Sequence, residues 1–258
     1  MTFPEPLRLP PDEVHVWWGH ARPRSSELLD FLDPIEATRH SALRRAADRD
    51  RFASAHVLTR VVLASYQPSY VDDVAIRATC KLCGAVGHGK PGLSDTDPLL
   101  TFSYAYAGAR VGVAVARVPV GLDVVVMSEA DEATRVAALA PAESAALAER
   151  PTPVWPHAVT RTWARKEALL KATGDGLSVP LADLVVSAPD ADPVLLAWAG
   201  GPEVNDVQLA DLAPGAGHVA ALALLTADAI DPEENLPYTV REFDGEPLLA
   251  AAEPPSIA

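Results

Sequence analysis

The chain has 258 residues, of which 49% are apolar, 22% charged and 6% aromatic. This composition is that of a globular protein and excludes disorder for the body of the chain. The net charge of −14 disfavours binding to nucleic acid, whose backbone is also negative. No run approaches the roughly 18 apolar residues of a membrane span, and no basic-then-apolar signal precedes Asp12. We therefore expect a cytoplasmic protein that does not bind membranes.

Charge is distributed unevenly along the sequence. Residues 228–258 hold eight acidic residues against Arg241 and supply half of the net charge, and we expect this segment to be a loosely attached tail. The segment Arg39–Arg60 instead holds six arginines against two aspartates. A short basic segment in an acidic protein fits a small polyanion as a ligand, but a solvated helix face would give the same pattern.

Residue patterns predict the elements of the first half. Strands are predicted where β-branched and aromatic residues cluster, at Val14–Trp18 and in a hairpin of Thr101–Ala105 with Arg110–Val118. Helical periodicity predicts helices at Ser25–Leu32, Pro34–Arg49 and Asp50–Tyr66. Glycine and proline at Cys83–Leu93 predict an irregular loop.

The second half repeats this mixture of strands and helices. Apolar runs predict strands at Val120–Val126, Leu184–Val186, Val194–Trp198 and Val219–Leu225. Helices are predicted at Glu129–Glu149, with a break at Pro141, and at His157–Ala172, where Gly174 and Gly176 end the helix. A weak internal similarity agrees with two similar α+β halves that meet near residue 119.

Cys80 and Cys83 are the two cysteines of the chain, so a disulfide framework is excluded. Their spacing, followed by His88, is compatible with zinc. A closed structural zinc site needs four ligands, however, and the sequence has no second cysteine pair. A zinc-stabilised interaction module is therefore the least favoured interpretation.

Trp163, Glu167 and Lys171 are spaced four residues apart, so on a helix they lie on one stripe. A Glu–Lys pair at this spacing is usually a surface ion pair worth a few tenths of a kcal/mol. Trp163 on the same stripe, and the end of the helix that Gly174 predicts, favour a functional site over a surface ion pair.

Two further residues are candidates for chemistry. Asp123 is the one charged residue between Arg117 and Glu129, and a carboxylate in an apolar strand costs several kcal/mol unless it meets a cation. It could equally cap a turn at the end of the strand. Lys90 lies in a glycine-rich segment that could hold a phosphate, although such a loop is more often a plain connection.

Four motifs, in this order, resemble those of the Sfp-type 4′-phosphopantetheinyl transferases. They are DRFASAHVLTR at Asp50–Arg60, HGKP at His88–Pro91, VGLD at Val120–Asp123 and WARKEALLKATGDGL at Trp163–Leu177. The likeness extends from about Val14 to Leu225. It implies an α+β fold built as a pseudo-twofold pair of similar halves, residues 1–118 and 119–227, with the active-site cleft between them and residues 228–258 as a tail.

The resemblance also implies an activity: transfer of the 4′-phosphopantetheine group of coenzyme A to a serine of an acyl or peptidyl carrier protein, with Mg²⁺ and as a monomer. Whether the carrier serves fatty-acid or secondary-metabolite biosynthesis stays open. By motif, Asp123 and Glu167 would hold the metal. Glu167 would also help deprotonate the serine, and Lys171 would stabilise charge on the phosphate. Arg51, Lys90 and Tyr106 match positions that contact coenzyme A.

Two motifs depart from the family pattern, at three positions in total. Val125 stands where the family has a further metal-binding carboxylate. Within FSYAYAG at Phe102–Gly108, Ala105 and Tyr106 replace a serine and a histidine that contact the 3′-phosphate of coenzyme A. The alternative is therefore a divergent member without transferase activity, which binds a carrier protein or a coenzyme A-like ligand or performs other chemistry in the same cleft.

Overall fold

The computed structural model describes residues 6–23, 27–67, 70–94, 100–127, 132–228 and 237–252. Its strands are β1 Glu13–His20, β2 Ile76–Thr79, β3 Lys90–Leu93, β4 Thr101–Ala107, β5 Arg110–Ala116, β6 Val120–Val126, β7 Leu184–Val186, β8 Leu195–Trp198, β9 Val207–Leu212, β10 His218–Leu225 and β11 Thr239–Asp244. Its α-helices are α1 Pro34–Ala42, α2 Ala46–Ser65, α3 Glu132–Ala138, α4 Pro141–Ala148, α5 Trp155–Thr173 and α6 Glu246–Ala252. The fold is therefore α+β, as the sequence predicts. No described helix is both long and apolar enough to cross a membrane.

Two sheets form the centre of the fold. The first has the strand order β11-β1-β5-β4 and the second the order β6-β10-β9. Apart from the parallel pair β1–β11, neighbouring strands in both sheets are antiparallel. Two short ribbons, β2–β3 and β7–β8, stand beside these sheets.

The two sheets pack face to face between two long helices. Alternate residues of β5 point to opposite sides, so Val113 packs with α2 while Ala114 packs with Leu122 and Leu222 of the second sheet. On the outer face of the second sheet, Ala221 packs with α5. The layers are α2, first sheet, second sheet and α5. A pseudo-twofold relation between the halves stays a prediction.

Helix α5 lies unusually close to strand β6. A Cβ atom on Gly121 would lie 1.9 Å from the carbonyl oxygen of Ala168 and 2.4 Å from the backbone nitrogen of Ala172. Glycine is therefore required at position 121 for this helix–strand contact. At the other end of the contact, α5 stops at Gly174, which caps the helix in the left-handed conformation with φ 78°.

Two fully buried cations hold α5 in place. Arg165 makes a bidentate ion pair with Asp211, with nitrogen–oxygen distances of 2.8 and 2.7 Å. The Nζ of Lys166 lies 2.5 Å from Glu143 Oε2 and also donates to the carbonyls of Ala138 and Leu181. Because an unpaired buried charge costs several kcal/mol, these contacts fix the orientation of the helix that carries the candidate site.

The structure differs from the expected helices near the N-terminus. The single helix predicted at Pro34–Arg49 is wrong, because α1 ends at Ala42 and α2 begins at Ala46. Leu43 and Arg45 both have extended backbone angles, which break the helix between them. The expected helix over Ser25–Leu32 is a 3₁₀ helix at Glu27–Phe31, and Ser25 lies outside the described residues.

Two other expectations fail through strand pairing. Cys83–Leu93 is not wholly irregular, because Lys90–Leu93 pairs with Ile76–Thr79 as strand β3. The loosely attached tail is wrong for residues 237–252: β11 pairs with β1, and Leu249 of α6 is buried in the core around α2. The acidic segment thus contributes an edge strand to the first sheet.

Candidate functional site

A cleft of about 680 Å³ opens beside the C-terminal end of α5. Its walls come from the segment between β2 and β3, from β4, and from residues 170–178, so both predicted halves contribute. Small-molecule sites have volumes of roughly 300–1,000 Å³. The described residues of the cleft wall include three lysines, Lys81, Lys90 and Lys171, against one acidic residue, Asp175. The cleft therefore suits an anionic ligand.

Asp123 and Lys171 meet where β6 passes under α5. The alternation of β6 turns Gly121, Asp123 and Val125 towards the helix. The Nζ of Lys171 lies 2.6 Å from Asp123 Oδ1 and 3.0 Å from the carbonyl oxygen of Leu122. Burial raises the pKa of Asp123, and the Lys171 charge opposes that rise. The aspartate is thus a buried carboxylate beside a cation, rather than the cap of a turn.

Glu167 lies one helical turn before Lys171 and is half-buried. Burial raises the pKa of Glu167, the negative charge of Asp123 raises it further, and Lys171 lowers it. The two carboxylates are therefore close enough to repel each other, and the Lys171 ammonium interacts with both. An additional cation would relieve this repulsion.

The donor set is compatible with Mg²⁺. Among the atoms of the described side chains, Asp123 Oδ2 is buried without a hydrogen-bond partner. Together with the Glu167 carboxylate, this atom supplies the hard oxygen ligands that Mg²⁺ prefers. Val125 adds no oxygen ligand, because its side chain is a hydrocarbon that packs in the apolar cluster around α5. The residues fit a metal ion held by two carboxylates, with water at the remaining positions.

Lys90 connects β3 to the end of α5. Its Nζ lies 2.5 Å from the carbonyl oxygen of Ala172, which is one of the unpaired carbonyls at the helix C-terminus. Burial lowers the pKa of Lys90 to about 8. A Cβ on Gly174 would lie 3.4 Å from the side chain of Lys90, so glycine leaves room for this contact. The lysine both caps the helix and faces the cleft.

Arg51 and Tyr106 occupy another part of the site. Tyr106 lines the cleft and is 38% exposed. Burial raises the pKa of Tyr106, and the charge of Arg51 opposes this. Arg51 is not part of the cavity wall: its guanidinium bonds to Asp48 and lies 3.3 Å from the carbonyl oxygen of Gly108. Ala105 is 3% exposed and offers no polar group.

Sequence reasoning missed several cleft residues. The Nζ of Lys81 lies 2.7 Å from Asp175 Oδ1, which joins the β2–β3 segment to the residues that follow α5. Tyr104 also lines the cleft, and its ring lies 4.9 Å from the ring of His56. Their positions in the sequence could have indicated both residues. Lys81 lies between Cys80 and Cys83, which were already candidates, and Asp175 lies between the two glycines that follow α5.

Comparison with known families gives a match in the second half of the chain. Residues 119–223 match the model of the 4′-phosphopantetheinyl transferase superfamily, and a search of curated proteins found no significant match to the chain. The matched segment contains Asp123, Glu167 and Lys171, whereas Lys90 and Tyr106 precede it. Residues 119–223, which hold the Asp123–Lys171 ion pair under α5, are thus similar to the 4′-phosphopantetheinyl transferase superfamily.

Proposed function

We propose that this chain transfers the 4′-phosphopantetheine group of coenzyme A to a serine of an acyl or peptidyl carrier protein, in a Mg²⁺-dependent reaction. The observation that carries the proposal is the Asp123–Lys171 ion pair next to a basic cleft, with Glu167 one helical turn before Lys171. It is supported by the superfamily match, which contains all three residues.

The charged side chains can each be given a role in this reaction. Lys90 and Lys171 face the cleft and would bind the pyrophosphate of coenzyme A, with Lys171 stabilising the charge that develops on the transferred phosphate. Glu167, whose pKa is raised by burial, would accept the proton of the carrier serine. The serine oxygen then bonds to the β-phosphorus, and adenosine 3′,5′-bisphosphate leaves.

Asp123 and Glu167 would hold Mg²⁺, which when bound neutralises charge on the pyrophosphate. Tyr106 can donate a hydrogen bond to the 3′-phosphate but supplies no positive charge. Arg51 would act on that phosphate from beside Tyr106, outside the cavity wall. Since one chain supplies both walls of the cleft, a monomer suffices, and we keep the boundary between the halves near residue 119.

The direct test is incubation with coenzyme A, Mg²⁺ and several apo carrier proteins, followed by intact mass spectrometry of each carrier. The proposal requires a phosphopantetheine mass increase on at least one carrier. Glu167→Gln should abolish it, whereas Glu149→Gln, an exposed glutamate at the end of α4, should not. No mass increase on any fatty-acid or peptide carrier would reject transferase activity.

The alternative is a superfamily member that binds coenzyme A or a carrier protein without transfer, or performs other chemistry in the same cleft. It is favoured by the buried Ala105 and the apolar surroundings of Val125, which remove contacts that the family pattern supplies. Calorimetric titration with coenzyme A, combined with the carrier assay, distinguishes a transferase from a protein that binds without transfer. Binding without any carrier modification would support this alternative.

A further inference from the structure

Three potential metal ligands converge in the segment between β2 and β3. One ligand atom each of Cys80, Cys83 and His88 lies within 4.8 Å of the other two. The Sγ of Cys83 is 3.5 Å from His88 Nε2. A tetrahedral zinc ion with Zn–S of about 2.3 Å and Zn–N of about 2.0–2.1 Å holds such a sulfur and nitrogen about 3.6 Å apart. At the observed spacing the two groups hydrogen-bond to each other, and the same spacing fits two ligands on one ion.

The backbone of this segment is folded as a tight turn around Cys80. The amide of Gly84 donates to the carbonyl of Cys80 at 2.9 Å, and the amide of Cys80 donates to the carbonyl of Ala85 at 3.0 Å. Gly84 has φ 69°, a conformation that favours glycine. These backbone hydrogen bonds close the turn that holds the side chains of Cys80 and Cys83 near each other.

Packing does not account for these side chains. Cys83 and His88 are exposed, and Leu82 between the cysteines is 74% exposed. The segment therefore has no core of its own to hold its turn. A metal ion bound by side chains at both ends of the turn would supply that missing cross-link.

We propose that Cys80, Cys83 and His88 bind one Zn²⁺ ion through two thiolates and one imidazole nitrogen, with water at the fourth position. Two soft sulfur ligands and an imidazole select zinc over Mg²⁺, which prefers oxygen. Among the described residues, no fourth histidine, cysteine or acidic side chain joins the group. Within the described residues the group is therefore a three-ligand site with an open position, rather than a closed four-ligand site.

The position of this zinc site gives it a consequence for the cleft. Cys80 and His88 are themselves part of the cleft wall, together with Lys81 and Lys90. Lys81 lies between the two cysteines, and Lys90 follows His88 by two residues. A bound ion would therefore fix the backbone that positions both lysines, independently of any ion held by Asp123 and Glu167.

The test is metal analysis of the full chain purified under reducing conditions, with Zn²⁺ as the probe. We expect one zinc per chain by elemental mass spectrometry. Replacement by Co²⁺ should give a thiolate-to-cobalt charge-transfer band and the intense visible bands of tetrahedral cobalt. Cys83→Ser and His88→Ala should each lose stoichiometric zinc. Leu82→Ser, an exposed change in the same turn, should retain it.

A second measurement covers variants that fail to fold. In the unmutated chain, zinc should slow the reaction of both thiols with a chromogenic disulfide, and removal of zinc by a chelator should lower the melting temperature. Substoichiometric zinc without cobalt bands in the unmutated chain overturns the proposal. So does a zinc content that Cys83→Ser leaves unchanged. Neither outcome depends on coenzyme A or a carrier protein, so failure here is separate from failure of the transferase assay.

Discussion

The ammonium of Lys171 lies 2.6 Å from the carboxylate of Asp123 and joins the C-terminal end of α5 to the middle of β6. Asp123 has only 10% of its side chain exposed, whereas Lys171 has 33%. The lysine thus neutralises a buried acid while still reaching the cleft.

Lys171→Met should abolish phosphopantetheine transfer and destabilise the fold. Removal of one partner of a fully buried pair costs about 3–5 kcal/mol, and the partial exposure of Lys171 reduces this to about 1–2 kcal/mol. Urea unfolding and carrier mass spectrometry measure the two effects. Lys81→Met is the control, because Lys81 also lines the cleft but pairs with Asp175. Equal losses in both variants would remove the special role of Lys171.

Gly121→Ala should push α5 away from β6. The new methyl group would lie 1.9 Å from the carbonyl oxygen of Ala168, an atom of the helix backbone, so we expect a loss of about 3 kcal/mol in the free energy of unfolding. The Mg²⁺ requirement should rise as well, because Glu167 moves with the helix. Gly92→Ala is the matched control, since no atom lies within 4 Å of its added methyl group. A Gly121→Ala protein as stable as the control would contradict the close contact.

Val125→Glu should lower the Mg²⁺ concentration needed for half-maximal activity. Position 125 lies two residues from Asp123 on the face of β6 that is turned towards α5, so the new carboxylate adds an oxygen ligand near the existing pair. The measurement is a Mg²⁺ titration of carrier modification. Val126→Glu places the same charge on the next residue, which is exposed and points to the opposite face, and should leave the titration unchanged.

Coenzyme A binding should weaken as the pH rises from 7 to 9. Burial lowers the pKa of Lys90 to about 8, so the ammonium is present below that pH and is lost above it. Loss of one charge-assisted hydrogen bond should weaken affinity by about 10-fold or more. Calorimetry at several pH values tests this. Lys90→Arg keeps its charge and should bind with little pH dependence, and an identical profile in both proteins would assign the titration to another group.

Acid should destabilise the first half through Glu36. Burial alone would raise the pKa of this glutamate, but hydrogen bonds and charge from His56 and Arg60 lower it to about 2. The resulting stabilisation is present above pH 4.5 and is lost as the pH falls towards 2. It corresponds to about 3 kcal/mol. Glu36→Gln should therefore unfold more easily at pH 7 and show a flatter stability profile below pH 4.5. Glu203→Gln, at an exposed position, should follow the unmutated chain.

The sequence predicted the elements whose signals are local. Strand β6 and the region of α5 follow from an apolar run and from helical spacing that ends at Gly174. These two elements also carry Asp123, Glu167 and Lys171, which the apolar run and the helical spacing single out as candidates. Their roles in a site were predicted from the resemblance of the motifs. The contacts of Asp123 could not be predicted from the sequence. Only the structure shows that its carboxylate pairs with Lys171 and that its Oδ2 atom has no hydrogen-bond partner.

The missed elements depend on partners far away in the chain. Lys90–Leu93 is a strand because Ile76–Thr79 pairs with it, although its proline and glycine indicate a loop. Thr239–Asp244 carries two acidic residues, Glu242 and Asp244, in its second half and becomes a strand through pairing with β1. The convergence of Cys83 with His88 likewise follows from a turn closed by backbone hydrogen bonds, which spacing does not reveal.

The parallel pair β1–β11 has a consequence for biosynthesis. Trp18 of β1 donates a hydrogen bond to Glu242 of β11, 224 positions later in the chain. While the ribosome is still making the intervening residues, β1 presents an open row of amides and carbonyls to any other nascent chain. Such an edge is a template for intermolecular association. Strand β11 therefore covers this edge of β1 only at the end of synthesis. A chain whose synthesis stalls before β11 is made would be prone to aggregate.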